Sequence, residues 1–306
     1  MKIRLTEIPF VSKLLKILNR IVLPGCQGVP VGYVLHFFIE SLRKGILAQR
    51  AAAMTYRIFV AIIPIIIALF SIISYLGTSV RATILNFIES MVPDYVWPAI
   101  SNMITEVINK QNVTLVSISF LFGVVLVMIC VDSIISILNT TYYKIQKRSF
   151  FKRLLNDLMI ICIWTSVIIL AVGIFIGTSA GMKYLDSHLF NSPKLYYYVI
   201  STFKWLLLFF LVYVFISSFY YLAPTNKKNY HFFSVGSTFA CISMVLIMVV
   251  LNYYFSNFGN YNLIYGSIGA ILAILLWIYW NSMFILIGFD LNVSIVAAKQ
   301  SIIDKK

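Results

Sequence analysis

The side chains that could carry chemistry are few and scattered. The three histidines, His36, His188 and His231, lie at least 43 positions apart. A hydrolytic metal centre needs clustered His, Asp or Cys ligands to hold the ion and activate water. The chain has no HxH, HExxH or paired-carboxylate motif, so neither a metal nor another cofactor is expected. Cys26, Cys130, Cys162 and Cys241 form no CxxC pair, and three of them sit in apolar runs. They read as small buried apolar residues. One nucleophile pattern occurs: Gly177-Thr178-Ser179-Ala180-Gly181 fits G-x-S-x-G, with Asp186 and His188 following. That pattern has meaning on a sharp strand-to-helix turn, whereas here it ends an apolar run. Gly173, Gly177 and Gly181 recur every fourth residue, a small-xxx-small spacing that lets helices approach closely. Helix packing is the reading taken. No catalytic residue is expected, and the chain is read as a non-enzyme.

Composition sets the environment for these residues. Of 306 residues, 61% are hydrophobic and 11% charged, against about 25% charged in soluble domains. A soluble globule could not hide that much apolar side chain. Six apolar runs, about 51–77, 113–141, 155–180, 196–222, 232–256 and 263–293, are each long enough for a helix to cross a hydrocarbon layer of about 30 Å. The fold class expected is an all-α polytopic membrane protein with six transmembrane helices. It divides into a basic N-terminal region (1–50), a six-span membrane domain (51–296) and a short tail (297–306). No short apolar run with a small-residue cleavage site opens the chain, so no signal peptide is expected.

The 24 Lys and Arg against 10 Asp and Glu give a formal charge of +14. In a soluble chain that would suggest nucleic acid. Here 18 of the basic residues fall in the two termini and the second and fourth loops, four fall on the other side, and Arg57 and Lys204 lie within spans. The positive-inside rule then puts both termini in the cytoplasm and removes the case for a nucleic-acid partner. Residues 11–22 place Val11, Leu14, Leu15, Leu18, Ile21 and Val22 on one helical face and basic residues opposite. Such a helix lies on the anionic cytoplasmic leaflet or packs on the protein's own surface. A second stripe, Val96 to Ile108, predicts one or two helices over 80–110 at the outer interface.

Ionisable groups inside a membrane are costly and default to functional candidates. Arg57 and Asp132 lie at similar depths from the cytoplasmic side, about 9 and 13 Å, and are expected to pair if their spans are neighbours. The alternative has Arg57 snorkelling and Asp132 facing water or protonated. Asp132, Ser136 and Asn139 share one helical face with Thr140 beside it, which lines a polar cavity or bonds across helices. Lys204 lies within snorkelling reach of the outer surface, and Asn252 and Asn281 read as packing contacts. Pro64 removes a backbone donor in mid-span and is expected to kink the first span.

The last span carries a motif. Tyr261-Asn262, Tyr265-Gly266-Ser267 and Gly269-Ala270 open it, and Gly288-Phe289-Asp290-Leu291-Asn292 closes it. This resembles the YihY/BrkB family of bacterial inner-membrane proteins, whose last span opens with YN…YGS.GA and closes with G.(E/D)LN. Ala51-Ala52-Ala53 with Thr55-Tyr56 and Pro64, Asn139 with Tyr142, and Leu222-Ala223-Pro224-Thr225-Asn226 also resemble it, so that the likeness covers about 40–296. The resemblance implies a six-span inner-membrane protein without an established activity, in a family formerly catalogued as a tRNA-processing ribonuclease. It makes Tyr261, Asn262, Tyr265, Gly266 and Ser267 candidates for substrate or lipid binding, and Asp290 and Asn292 motif residues. The chain departs from the family at Arg57, usually an uncharged aromatic, and at Asp132, usually small and polar. The function expected is transporter-like or lipid-handling, with membrane lipids as partners. The alternative is a structural or assembly role on a membrane-protein partner.

Overall fold

A computed structural model describes residues 28–44, 46–75, 77–92, 97–109, 113–140, 150–188, 194–224, 230–257 and 267–304. Its regular elements are α-helices: α1 (Val31–Lys44), α2 (Leu47–Ile73), α3 (Thr78–Met91), α4 (Trp97–Asn109), α5 (Val113–Asn139), α6 (Phe150–His188), α7 (Lys194–Leu222), α8 (Val235–Asn257) and α9 (Ser267–Ile303). Continuous apolarity without a polar face leaves each long segment no option but to satisfy its backbone internally, and a helix does so.

Among the described residues, five helices are long and apolar enough to cross a membrane: those holding Phe120–Asn139, Phe151–Thr178, Tyr198–Leu222, Val235–Phe255 and Ile271–Ile303. A sixth is reached if α1 and the first part of α2, bent by 70° at the break between them, act as one broken span. The first span expected at 51–77 thus falls on an α2 that begins at Leu47 and runs through Pro64 to Ile73. The helix 11–22 lies outside the described residues. The 80–110 region forms two helices, α3 and α4; Ile104 of α4 is buried against Trp97, Ile88 of α3 and Ile73 of α2.

The long helices pack as a ring. α2 lies between α5 and α9, α9 continues to α8, α8 to α7, α7 to α6, and α6 returns to α5. The main core gathers where α2, α6 and α8 begin and α5, α7 and α9 end, around Met54, Ile134, Leu138, Ile160, Phe219, Tyr220, Leu286 and Phe289. We call this the packed end. α1 covers α9 beside it, with Val34 and Val29 on Ile295 and Ala298. α6 and α7 are the least enclosed members: their apolar windows are 6% and 11% buried, against 33–39% for α5, α8 and α9.

The glycines that permit this packing are not the ones their spacing suggested. At Gly173 and Gly177 an added Cβ meets nothing within 4 Å, so neither is a packing contact; the side-chain position of residue 181 lies outside the described ones. Three in-line small residues allow close approach but do not supply a neighbour on that face. The close approach occurs instead between α8 and α9. A Cβ on Gly236 would stand 2.0 Å from the Gly288 carbonyl oxygen, and one on Gly288 would stand 2.5 Å from that of Gly236. A looser approach brings buried Gly123 of α5 against the Pro64 backbone of α2, where a Cβ would sit at ordinary contact distance, 3.8 Å.

Gly236→Ala and Gly288→Ala should therefore lower the melting temperature of the purified protein, each by the equivalent of about 1–3 kcal/mol of overpacking. Gly173→Ala should be neutral or slightly stabilising, since alanine favours helix. Thermal melts of the three variants in one detergent check this, and equal melting would remove the α8–α9 contact as the tight one.

Candidate functional site

The packed end holds a polar system that ties the ring together. Arg50, in the first turn of α2, reaches Asp290 of α9, its Nη1 donating to Oδ2 at 3.0 Å and a second nitrogen to Oδ1 at 3.4 Å. The two side chains are 5% and 2% exposed. Arg50 Nε donates to the Ile137 carbonyl of α5 at 3.2 Å. Ile137 lies in the last turn of its helix, where the dipole is negative, and its carbonyl also accepts the Thr140 N–H and hydroxyl. One guanidinium thus joins three helices with fork geometry that lysine cannot offer.

The rest of the closing motif has comparable duties. Asn292 accepts the Gly236 backbone N–H at 2.9 Å and donates to Ser234 Oγ at 2.8 Å. Ser234 in turn caps α8, accepting the Ser237 N–H at 3.2 Å. Gly288, one turn before Asn292, leaves space for both the α8 backbone and the Tyr220 hydroxyl, which donates to the Ile285 carbonyl across the ring from α7. Asn139 Nδ2 donates to the Ala223 carbonyl at 3.1 Å, joining the ends of α5 and α7. In the α7–α8 connection, burial pushes the Tyr230 phenol up to about 12, so it stays neutral.

Asp132 is paired, but not with Arg57. Its partner is Arg153 of α6, through both Nε and a terminal nitrogen. The core-facing stripe of α2 runs through Ala51, Met54, Ile58, Ala61 and Ile65, which leaves Arg57 on an exposed flank with Tyr56. The first turn of α6, adjacent to α5, reaches Asp132 instead. Within the rest of the Asp132 stripe, Ser136 is exposed and Thr140 donates to the Ile137 carbonyl. The stripe's polar contacts therefore tie helices or their ends.

Several important positions escaped the sequence reading. Arg50 had been counted with the terminal basic residues that set topology. Asn156 and Asp157, each 5% exposed, lie on the inner face of α6 with Ile160. Trp164, one turn further, stacks on Phe215 at 3.9 Å and donates to Ser218 Oγ at 3.2 Å. The spacing 153, 156, 157, 160 and 164 is one helical face, a signal present in the sequence. Lys204 rests its ammonium over the rings of Phe175 and Trp205, 5.1 and 5.4 Å from their centroids. Asn281 bonds within its own helix, to the Trp277 carbonyl, and Asn252 is exposed.

Tyr261, Asn262, Tyr265 and Gly266 lie outside the described residues, and Ser267 is the first residue of α9. α6 is helical from Phe150 to His188, so the G-x-S-x-G segment occupies no strand-to-helix turn. Among the described residues no three His, Cys, Asp or Glu side chains are grouped to hold a metal ion. The chemistry available to the packed end is the fastening of helix ends by charge and hydrogen bond.

Comparison with known proteins agrees with this picture of a membrane chain. The family model described as "Virulence factor BrkB" matches residues 38–305. The chain is 25% identical over 246 residues to the ribonuclease-like protein YfkH of Bacillus subtilis (strain 168), covering 80% of this chain and 88% of that protein. It is 28% identical over 262 residues to the UPF0761 membrane protein NTHI0384 of Haemophilus influenzae (strain 86-028NP), with 83% and 91% covered. It is also 28% identical over 260 residues to the UPF0761 membrane protein MS0032 of Mannheimia succiniciproducens, with 83% and 86% covered. No solved structure matches.

Arg50→Ala and Asp290→Ala should each cost about 3–5 kcal/mol, because each leaves a buried charge alone. The double variant should lose much less than the sum. Asp132→Ala should cost no more than about 1 kcal/mol, its partner being over half exposed. That loss should couple to Arg153→Ala and add independently to Arg57→Ala. Melting temperatures of these single and double variants decide each case.

Proposed function

The chain belongs to the BrkB family, and we propose that it is a transporter-like or lipid-handling protein of the bacterial inner membrane, with both termini in the cytoplasm. The observation that supports this best is the unequal fastening of the ring. Among the described residues its ion pairs and cross-helix bonds gather at the packed end, while the apolar windows of α6 and α7 are only 6% and 11% buried. The basic residues preferentially flank the packed end, which supports assigning that end to the cytoplasmic leaflet. A ring bolted at one end and lightly enclosed along α6 and α7 can part between those helices without losing its core. Such parting suits a molecule that enters from the bilayer rather than from water.

The activity proposed is not enzymatic. The ribonuclease-like name belongs to the Bacillus relative. A structural role is the second reading, favoured by the broad exposed faces of α6 and α7, on which a helix of another membrane protein can lie.

The purified chain, reconstituted in liposomes with fluorescent phosphatidylglycerol, is expected to speed movement of that lipid between leaflets. The assay is a surface quencher, applied with and without a proton gradient of either sign. Rates equal to those of empty vesicles under all conditions would overturn the transport reading. A stoichiometric membrane protein copurifying in mild detergent would then establish the structural one.

A further inference from the structure

Between α6 and α7, near the packed end, lies a groove of about 630 Å³, within the range of ligand sites. Leu155, Leu158, Met159 and Cys162 form one wall and Tyr221 and Leu222 the other, with Phe232 at the end. The inner face of α6 is the stripe 156, 157, 160 and 164, so the groove wall lies on its outer flank. Leu155, Leu158 and Met159 are 57%, 43% and 46% exposed, which means they face the bilayer. Ser218, which also lines the groove, has its hydroxyl engaged with the Phe215 carbonyl and the Trp164 indole. The groove is therefore apolar in chemistry as well as in composition.

Among the described residues no lining side chain is charged, and a lysine stands near one end. One turn before Leu155, on the same flank, stand Phe151, 79% exposed, and exposed Lys152. Across the opening, exposed His231 precedes Phe232. An apolar slot capped by an aromatic ring and a lysine matches an acyl chain joined to an anionic head group. Water-soluble anions have no use for the slot, and neutral lipids have none for the lysine.

We propose that this groove binds one anionic glycerophospholipid of the leaflet at the packed end, its chain along α6 and its phosphate at Lys152. The inference rests on the lipid-handling reading above, for which it names the lipid class. Lys152 is a binding residue here, distinct from the Arg153–Asp132 pair beside it.

The test uses the full chain in nanodiscs of equal phosphatidylglycerol and phosphatidylcholine, moved into mild detergent and weighed by native mass spectrometry. Wild type should keep one lipid per chain, favouring phosphatidylglycerol about fivefold, the attraction of one lysine to an anionic surface. Lys152→Ala should reduce that preference towards the mixture ratio. Leu158→Trp should at least halve the lipid kept. Because Leu158→Trp fills a site beside the core, a second block is made after folding: a bulky maleimide on Cys162 in a Cys26→Ser background. It reaches only Cys162 of the three described thiols, since Cys130 and Cys241 are buried, and it should displace the lipid equally. Retention at the mixture ratio in wild type, or no loss after Cys162 is blocked, would overturn the proposal. Retention without movement between leaflets would leave the groove standing and remove transport, and movement without retention would do the reverse.

Discussion

A charged pair with almost no access to solvent is what the ring depends on. Arg50 and Asp290 stand 240 positions apart in sequence and close α2 onto α9. Neither charge is tolerable alone in such surroundings, since each would carry several kcal/mol of uncompensated desolvation. Each therefore requires the other helix to be in place. The third bond, to the Ile137 carbonyl at the negative end of its helix, adds α5. Because the geometry is a fork, this contact sets rotation and height as well as proximity. In a bilayer, where apolar packing between helices gains little over lipid, such polar bonds select one arrangement from many.

The Gly-Phe-Asp-Leu-Asn segment can be understood from this pair outward. Asp290 faces α2, Asn292 docks on the first turn of α8, and Gly288 leaves room for the α8 backbone. Phe289 fills the core between them with Tyr220. Five consecutive residues thus place α9 against both neighbours. The motif is a joint, and its residue types follow from the joint: a charge for a buried arginine, an amide for a free N–H, and no side chain where backbones meet.

How much of this was legible depends on whether the signal is local. Apolar run length gave the long helices, because a span's length is set by the bilayer and not by its neighbours. Facial spacing was equally available on α6, where 156, 157 and 160 point inward. Partners were harder. Asp132 could have met Arg57 by depth alone, but depth says nothing of rotation, and the apolar stripe of α2 turns Arg57 away. Gly173 and Gly177 showed the reverse error, a correct spacing on a face with no neighbour. Arg50 was obscured by its position beside a loop, where arginine ordinarily sets topology. The resemblance to a known family drew attention to Asp290 and Asn292 without supplying their partners. The candidate residues Tyr261 to Gly266 lie outside the described residues.

The order of the ring has a consequence for how the chain is made. α9, made after α2 to α8, seats between α2 and α8 and brings the only described carboxylate that Arg50 bonds. Until then Arg50 waits at the start of α2 while six later helices, α3 to α8, are synthesised. Ring closure thus waits for α9, with native contacts of long sequence separation formed late. A chain stopped before Asp290 would present an unmatched arginine at an open seam, a signature by which membrane quality control could tell unfinished copies from finished ones.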